Sequence, residues 1–225
     1  MTDRAAPVVA IDGPSASGKG TVSRGVAAAL GFHFLDSGAL YRLVGLAALD
    51  GGADLHDADA IAGLARKLDA EFKGEAIWLA GREVTDAIRD ERVSAAASQV
   101  AAIPAVREAL LDRQRAFRNE PGLVADGRDM GSVVFPDAAL KIYLTADPAE
   151  RARRRYNQLI EKGLGANMDA LLQEIRKRDA RDSERAAAPL QKSTDAVELD
   201  TTGLSVEAVV SEILALYKRK AAKAP

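Results

Sequence analysis

The chain has 225 residues, of which 48% are apolar and 28% charged, a balance typical of a globular domain and not of a disordered or fibrous protein. Its 31 basic and 33 acidic residues give a net charge of −2, which excludes the basic bias of many proteins that coat nucleic acids. The absence of cysteine excludes disulfides, thiolate zinc sites and a cysteine nucleophile.

The N-terminus has none of the features of a targeting segment. Residues Met1–Pro7 are polar, and the apolar run Val8–Ile11 is far too short for a signal core. No apolar run approaches the ~18 residues needed to cross a bilayer. We therefore expect a cytoplasmic protein without membrane or nucleic-acid partners, acting as a monomer.

The first fifty residues alternate between strand and helix patterns. Pro7–Ile11 predicts a buried strand, and a glycine-rich loop then leads to a helix over Lys19–Leu30. Phe32–Leu35 predicts a second strand, and Asp36-Ser37-Gly38 a turn and cap before a helix over Ala39–Leu49. This order indicates an α/β protein.

The alternation stops between residues 50 and 92. Short strands are predicted at Glu71–Gly74 and Ile77–Val84, joined by glycine turns, which indicates a small antiparallel insert. Glu91–Asn119 follows a helical pattern, with Pro104 as a boundary or a kink.

The second half returns to the α/β pattern. Further strands are predicted at Gly122–Ala125, Leu140–Leu144 and Val197–Leu199. Asp147-Pro148 is typical of a helix start, and Ser205 caps a last helix to about Lys218, followed by a frayed tail. Between Glu150 and Arg185 there are ten Lys/Arg and seven Asp/Glu, so this segment could close over a polyphosphate.

The glycine-rich loop matches the phosphate-loop pattern G-x-x-x-x-G-K. Its residues are Gly13, Pro14, Ser15, Ala16, Ser17, Gly18, Lys19, Gly20 and Thr21. A strand before it and a helix after it are the context in which such a loop cradles nucleotide phosphates, with Lys19 at the transferred group. The alternative is a glycine-rich turn with an incidental lysine. The loop predicts nucleotide binding, and Thr21 is a candidate Mg²⁺ ligand.

Two further segments could bind the phosphate acceptor. Ser37 at a helix start and Arg42 about one turn later could grip one phosphate, or be a capping serine and a solvated arginine. Asp126-Gly127-Arg128-Asp129 stands at a strand end, where ligands gather in α/β sheets. There Asp126 could hold Mg²⁺ or its water and Arg128 a phosphate, or the segment could be a salt-bridged turn.

A charged helix is predicted around residues 176–185. Arg178, Arg181, Asp182 and Arg185 would share one face at three- and four-residue spacings. Such a helix is ordinarily a solvated surface laced with salt bridges. In a protein with a phosphate loop it is also a candidate lid, because mobile cations are needed there.

Together these segments resemble the bacterial cytidylate kinase family, from about Pro7 to Tyr217. The matching features are Gly13–Thr21, Asp36–Arg42, Ala96–Val100 before Val106-Arg107-Glu108, Asp126–Gly131 and Arg178–Leu190. Ala16 occupies a position where relatives often carry glycine, a mild departure because its side chain can point away from the phosphates.

The resemblance implies the fold and its parts. It predicts an α/β fold of the P-loop NTPase type, with a parallel sheet flanked by helices, an antiparallel insert and a short lid. One domain, residues 1–225, would comprise a core at about 7–37, 120–150 and 190–218. The nucleoside-monophosphate-binding region would lie at about 38–119 and the lid at about 151–189.

The resemblance also implies the reaction and its residues. ATP would phosphorylate CMP or dCMP with Mg²⁺ as cofactor, held by Thr21 and Asp126. The residues implied to bind CMP are Ser37, Arg42 and Arg128 at the phosphate, Ser98, Arg107 and Asp129 at the cytosine, and Arg178 and Asp182 at the ribose. The catalytic residues implied are Lys19, Arg128, Arg178 and Arg185, the last at the phosphates.

Other functions stay open at this point. The acceptor could be UMP, AMP or shikimate, because many small-molecule kinases share the loop. The chain could also be a regulatory nucleotide switch, although it lacks the Asn-Lys-x-Asp guanine signature. A nucleic-acid-binding module is disfavoured by the net charge and by the lack of an aromatic-rich basic face.

Overall fold

The computed structural model describes residues 5–161, 163 and 165–222. The strands are β1 (Val8–Asp12), β2 (His33–Asp36), β3 (Ala70–Lys73), β4 (Ala76–Leu79), β5 (Arg82–Glu83), β6 (Leu123–Gly127), β7 (Leu140–Thr145) and β8 (Val197–Asp200). The α-helices are α1 (Lys19–Leu30), α2 (Ser37–Asp50), α3 (Ala58–Arg66), α4 (Glu91–Val100), α5 (Pro104–Arg115), α6 (Pro148–Glu161), α7 (Met168–Glu184) and α8 (Val206–Ala221). Two short helical turns, Ala87–Arg89 and Met130–Val134, complete these elements.

The chain divides into two compact units. One unit comprises the residues up to Leu35 together with those from Ala116 onwards, and the other comprises Asp36–Arg115. Within the described residues, none of the helices has both the length and the apolar character needed to cross a membrane.

The first unit contains a five-stranded sheet in the order β2-β6-β1-β7-β8. β1 pairs in parallel with both β6 and β7, so that Ile11 lies between Asp126 and Ile142. Every residue of β1 and β6 is buried, as expected for the central strands of a parallel sheet. Apolar side chains of α1 and α8 pack on this sheet, which confirms the predicted α/β class.

The parallel pairing brings the carboxyl ends of four strands to one edge of the sheet. Asp12, Gly127, Thr145 and Asp200 end β1, β6, β7 and β8. Ligands of open α/β sheets bind at this edge. The phosphate loop and the Asp126–Gly131 segment both begin here.

The second unit is built on helix pairs. α2 packs closely against α4, where a side chain at Gly45 would lie 3.0 Å from the Ala97 backbone nitrogen. The predicted antiparallel insert is confirmed as the sheet β3-β4-β5. The guanidinium of Arg113 on α5 donates to the carbonyls of Leu68 and Ala70, both at 2.5 Å, and so fixes the start of β3.

Several predicted boundaries were wrong. Pro104 is a helix boundary, one of the two alternatives left open, and the helical segment expected over 91–119 ends at Arg115 instead of Asn119. α8 continues to Ala221, three residues past Lys218, and the last residues of the tail expected to fray, 223–225, lie outside the described residues. α3 and the turn Met130–Val134 were not predicted.

Candidate active site

The phosphate loop runs from the end of β1 to the start of α1. Gly18 precedes α1 with a left-handed φ of 86°, a conformation that glycine adopts without strain. The Ser17 hydroxyl and the Lys19 ammonium both donate to the Pro14 carbonyl, at 3.0 and 3.1 Å. The N-terminus of α1 therefore opens on the loop, where its N–H groups can donate to an anion.

Gly13 allows the loop to start directly against the sheet. A β-carbon built at Gly13 would lie 2.1 Å from the carbonyl oxygen of Leu144 on β7. Real β-carbons essentially never approach so closely, so any side chain here would push the loop away from β7. The glycine is required by packing as well as by the turn.

Lys19 and Asp126 face each other at the strand ends. The ammonium lies 3.9 Å from a carboxylate oxygen, and both side chains are nearly buried. A β-carbon at Gly20 would lie 3.3 Å from the other oxygen of Asp126. This crowding explains why position 20 is glycine, where the general pattern has serine or threonine. The first hydroxyl after Lys19 is therefore that of Thr21.

Asp12 holds the segment that follows β6. The backbone N–H groups of Met130 and Gly131 each donate to one oxygen of the Asp12 carboxylate at 2.8 Å. Burial, reinforced by the nearby charges of Asp129 and Asp126, raises the pKa of Asp12 to about 7, although the two backbone donors lower it. One carboxylate thus fixes the turn that carries Arg128 and Asp129.

Arg128 and Asp182 form an ion pair across the first unit. The Arg128 Nε donates to the Asp182 carboxylate at 2.8 Å, with 17% and 8% of the two side chains exposed. Burial raises the pKa of Asp182, but the charge and hydrogen bond of Arg128 outweigh this, so the pKa lies below its usual range. The structure therefore brings together two residues predicted to bind CMP.

The charged helix predicted around residues 176–185 is the end of α7. Arg178, Arg181 and Asp182 lie on α7, but the helix ends at Glu184 and the backbone of Arg185 is extended. The Arg185 Nε donates to the Ala188 carbonyl at 2.7 Å. The prediction that Arg185 shares the helix face was wrong, because the chain turns away after Glu184.

The other predicted CMP contacts lie in the second unit. Ser37 is the first residue of α2 and is buried, and Arg42, one turn later, lies 3.5 Å from the Asp36 carboxylate. Arg107 on α5 is buried, with its guanidinium 5.4 Å from the centre of the Tyr41 ring on α2. Ser98 is a buried residue of α4.

The two residues predicted to hold Mg²⁺, Thr21 on α1 and Asp126 on β6, carry oxygen donors. A hydroxyl at Thr21 and a carboxylate at Asp126 are hard oxygen donors, which Mg²⁺ prefers. Among the described residues, no group of three or more His, Cys, Asp or Glu side chains could hold a metal ion. This donor set suits an ion coordinated mainly by nucleotide phosphates and water.

Sequence reasoning missed several side chains that contact the loop. Arg151 donates to the Ser15 carbonyl at 3.2 Å, and Arg154 to the Ser17 carbonyl at 3.1 Å. The Thr201 hydroxyl, after β8, also donates to Ser17 O at 3.2 Å. Asp12 could have been found from its place at a strand end, but nothing in the charged sequence of α6 distinguishes the arginines that contact the loop, Arg151 and Arg154, from the exposed Arg153.

Comparison with known proteins addresses the family of this chain. The sequence profile of the family described as "Cytidylate kinase" matches residues 9–219. The chain is 59% identical over 222 residues to a cytidylate kinase of Pseudomonas aeruginosa strain UCBPP-PA14, covering 96% of this chain and 97% of that protein. A cytidylate kinase of Nitrosomonas europaea is 54% identical over 217 residues, with the same two coverages.

A solved structure shares the fold at lower sequence similarity. The crystal structure of a gluconokinase from Sinorhizobium meliloti 1021 aligns with a TM-score of 0.50 at 16% identity, covering 96% of this chain and 94% of that one. At this identity the likeness concerns the fold alone. The extent of the sequence matches is decisive for the family: this chain belongs to the cytidylate kinases.

Proposed function

We propose that this protein transfers the γ-phosphoryl group of ATP to CMP, giving ADP and CDP, and that it accepts dCMP as well. Family membership supports the reaction. The observation that carries it is the meeting of a phosphate loop, through Lys19, with the Asp126 carboxylate at 3.9 Å, two residues before Arg128. Groups suited to donor and acceptor phosphates thus lie at one edge of the sheet.

The donor nucleotide is assigned to the phosphate loop, residues 13–21. Its backbone N–H groups and the N-terminus of α1 would bind the phosphates of ATP. Lys19 would follow the transferred group and neutralise the charge that develops on it. Arg178 and Arg185 are assigned the same electrostatic role, which is the main means of catalysis in phosphoryl transfer.

The acceptor is assigned to the residues that the family resemblance implies. The CMP phosphate would bind Ser37, Arg42 and Arg128, the cytosine Ser98, Arg107 and Asp129, and the ribose Arg178 and Asp182. Arg128 already donates to Asp182 at 2.8 Å, so its guanidinium is not fully hydrated before the acceptor binds. Binding of the CMP phosphate to Arg128 would therefore replace or share a charge-assisted hydrogen bond that already exists.

The reaction needs no general base from the protein. The attacking atom is an oxygen of a phosphate that is already ionised at neutral pH, so the protein has only to align it with the γ-phosphorus. His33 is exposed, with its Nε2 2.9 Å from the Glu120 carbonyl, and His56 is exposed too. Neither histidine has a role in the proposal.

Mg²⁺ is assigned to Thr21 and Asp126, partly through water. When bound, the ion would neutralise charge on the ATP phosphates. Asp126 has a second role that does not depend on the ion, because its carboxylate positions the Lys19 ammonium.

The test is an ADP-release assay against each nucleoside monophosphate and shikimate, with and without acceptor. We expect turnover with CMP and dCMP well above that with UMP, AMP or shikimate. A regulatory switch would release ADP at the same rate with and without CMP, and this outcome would reject the proposal.

A matched variant ties the activity to the loop. Lys19→Met keeps the length of the side chain but removes its charge, and it should lower kcat by at least ~100-fold without unfolding the protein. Circular dichroism checks the fold. Turnover at the parent rate would remove Lys19 from the transferred phosphoryl group.

The location and assembly of the enzyme are also proposals. ATP and nucleoside monophosphates are cytoplasmic metabolites, which supports a cytoplasmic location. We propose that the enzyme acts as a monomer. Light scattering of the purified protein with and without nucleotides measures this directly.

A further inference from the structure

One arginine of α6 is buried although a near neighbour on the same helix is solvated. Only 4% of the Arg151 side chain is exposed, compared with 61% for Arg153. Taking a guanidinium out of water is costly unless acceptors replace the lost hydration. The contacts of Arg151 must therefore compensate for its burial.

Those contacts join three separate parts of the first unit. Arg151 Nε donates to the Ala146 carbonyl after β7 at 3.0 Å, and Nη1 to the Ser15 carbonyl of the phosphate loop at 3.2 Å. Nη1 and Nη2 also bind the two oxygens of Asp179 on α7, at 3.0 and 2.5 Å. Because a two-point pair fixes direction as well as distance, α7 is held in register with the loop.

An apolar contact supports the same connection. Ala16, between Ser15 and Ser17 in the loop, packs against the apolar cluster that α6 and α7 form around Ala152, Leu171 and Ile175. Its φ of 57° is unusual for a residue with a side chain. The methyl group thus occupies a conformation that suits glycine and gains packing against these helices.

Asp179, the partner of this arginine, lies close in sequence to groups assigned to the substrates. Asp179 directly follows Arg178 and lies one turn before Asp182, which pairs with Arg128. α7 is therefore fixed by one ion pair to Arg151 of α6, which also donates to the phosphate loop, and by another ion pair to the turn after β6. Arg151 itself contacts backbone carbonyls and a carboxylate, so it has no place in binding phosphate.

We propose that Arg151 is a positioning residue for phosphoryl transfer. It sets the distance between α7 and the phosphate loop, through Asp179 on one side and Ser15 on the other. The expected loss of kcat rests on the proposed function, whereas the link between α7 and the phosphate loop does not depend on it. Since small displacements of aligned groups cost much rate, loss of this contact should lower kcat more than substrate binding.

The experiment compares Arg151→Lys and Arg151→Met with the matched control Arg153→Met on the same helix. Arg151→Lys keeps the charge but cannot bind Asp179 at two points and Ser15 together. We expect kcat to fall about 10-fold in Arg151→Lys and about 100-fold in Arg151→Met. The KM values for ATP and CMP should change by less than about 3-fold, and Arg153→Met should match the parent.

A double-mutant cycle with Asp179→Asn tests the route of the effect. If Arg151 acts through Asp179, Arg151→Met combined with Asp179→Asn should be little worse than Arg151→Met alone. Independent, multiplicative losses would overturn the proposal. So would a kcat at the parent level in folded Arg151→Lys.

Hydrogen exchange gives a readout that does not depend on activity. In the nucleotide-free protein, Arg151→Lys should speed amide exchange in both residues 15–17 and α7, while Arg153→Met should not. Exchange that is unchanged in either segment would overturn the positioning role. If the parent fails to phosphorylate CMP, the proposed function fails, and this exchange result still decides whether Arg151 links the two segments.

Discussion

Base selection is proposed to depend on a single buried carboxylate. Asp129 is 3% exposed and lies in the turn that Asp12 fixes. A carboxylate can accept a hydrogen bond from the amino group of cytosine, while uracil presents an oxygen at the same position. The cost of facing that oxygen is on the order of 3 kcal/mol, or about 100-fold.

Asp129→Ala should therefore reduce kcat/KM for CMP far more than for UMP. The measurement is the ratio of the two kcat/KM values in parent and variant. If Asp129 served only to brace Arg128, both substrates would suffer alike and the ratio would stay constant. Base selection would then have to be sought at Ser98 and Arg107.

A second residue-scale prediction concerns Asp12 and pH. Its pKa is about 7 in the folded protein and about 3.9 in an unfolded chain. The folded state therefore binds the proton more tightly. The resulting stability is fully present below about pH 4 and is lost as the pH rises through 7.

Asp12→Asn should remove this dependence. Between pH 5 and 6.5, the unfolding free energy of the parent should fall by up to about 1.4 kcal/mol per pH unit relative to the variant. Urea unfolding in EDTA, without nucleotide, measures both proteins. Parallel pH profiles would show that Asp12 is ionised throughout this range.

At the scale of elements, the strands of the parallel sheet could be read from the sequence and the roles of the helices could not. Val8–Ile11 is an unbroken apolar run followed by Asp12 and a glycine loop, which favours a buried strand. Arg151 and Arg153, by contrast, are two arginines on one charged helix, and only the packing of α7 decides which is buried. Arg185 was misplaced because no local signal ends α7 at Glu184.

The site residues that the sequence predicts are those marked by local backbone requirements, and the contacts that it does not predict join distant parts of the chain. Loop residues such as Lys19 are recognisable because the backbone conformation demands glycines around them. The ion pair between Arg128 and Asp182 joins residues 54 positions apart, so no spacing rule predicts it. Asp12 follows the predicted strand Pro7–Ile11, but the two backbone N–H groups that donate to its carboxylate are placed by the path of the chain after β6.

Limited proteolysis tests the prediction that α7 belongs to a lid that closes over the nucleotides. Adding ATP and CMP together, or a bisubstrate mimic, should slow cleavage by a protease between α6 and α7, because the arginines of α7 would then be engaged. Each nucleotide alone serves as the control and should protect less. Equal cleavage rates in all conditions would indicate that α7 does not close.

For the whole molecule, ligand binding should appear as added stability. A nucleotide at 100 times its Kd stabilises the folded state by about 2.7 kcal/mol. In a protein of this size that corresponds to a rise in Tm of roughly 5–10 °C. Thermal unfolding with CMP should show this rise, and UMP at the same concentration should show much less. A shift of equal size for both would contradict selective binding of cytosine.

The position of Asp12 has a consequence for how this enzyme can evolve. The residue that supports the turn carrying Arg128 and Asp129 is also the residue before Gly13, where the packing of β7 leaves no room for movement. A mutation that moved the turn to fit another acceptor would therefore disturb the donor loop. New acceptor preferences should arise first by side-chain replacement at Ser98 or Arg107, which lie on helices α4 and α5 and not in this turn.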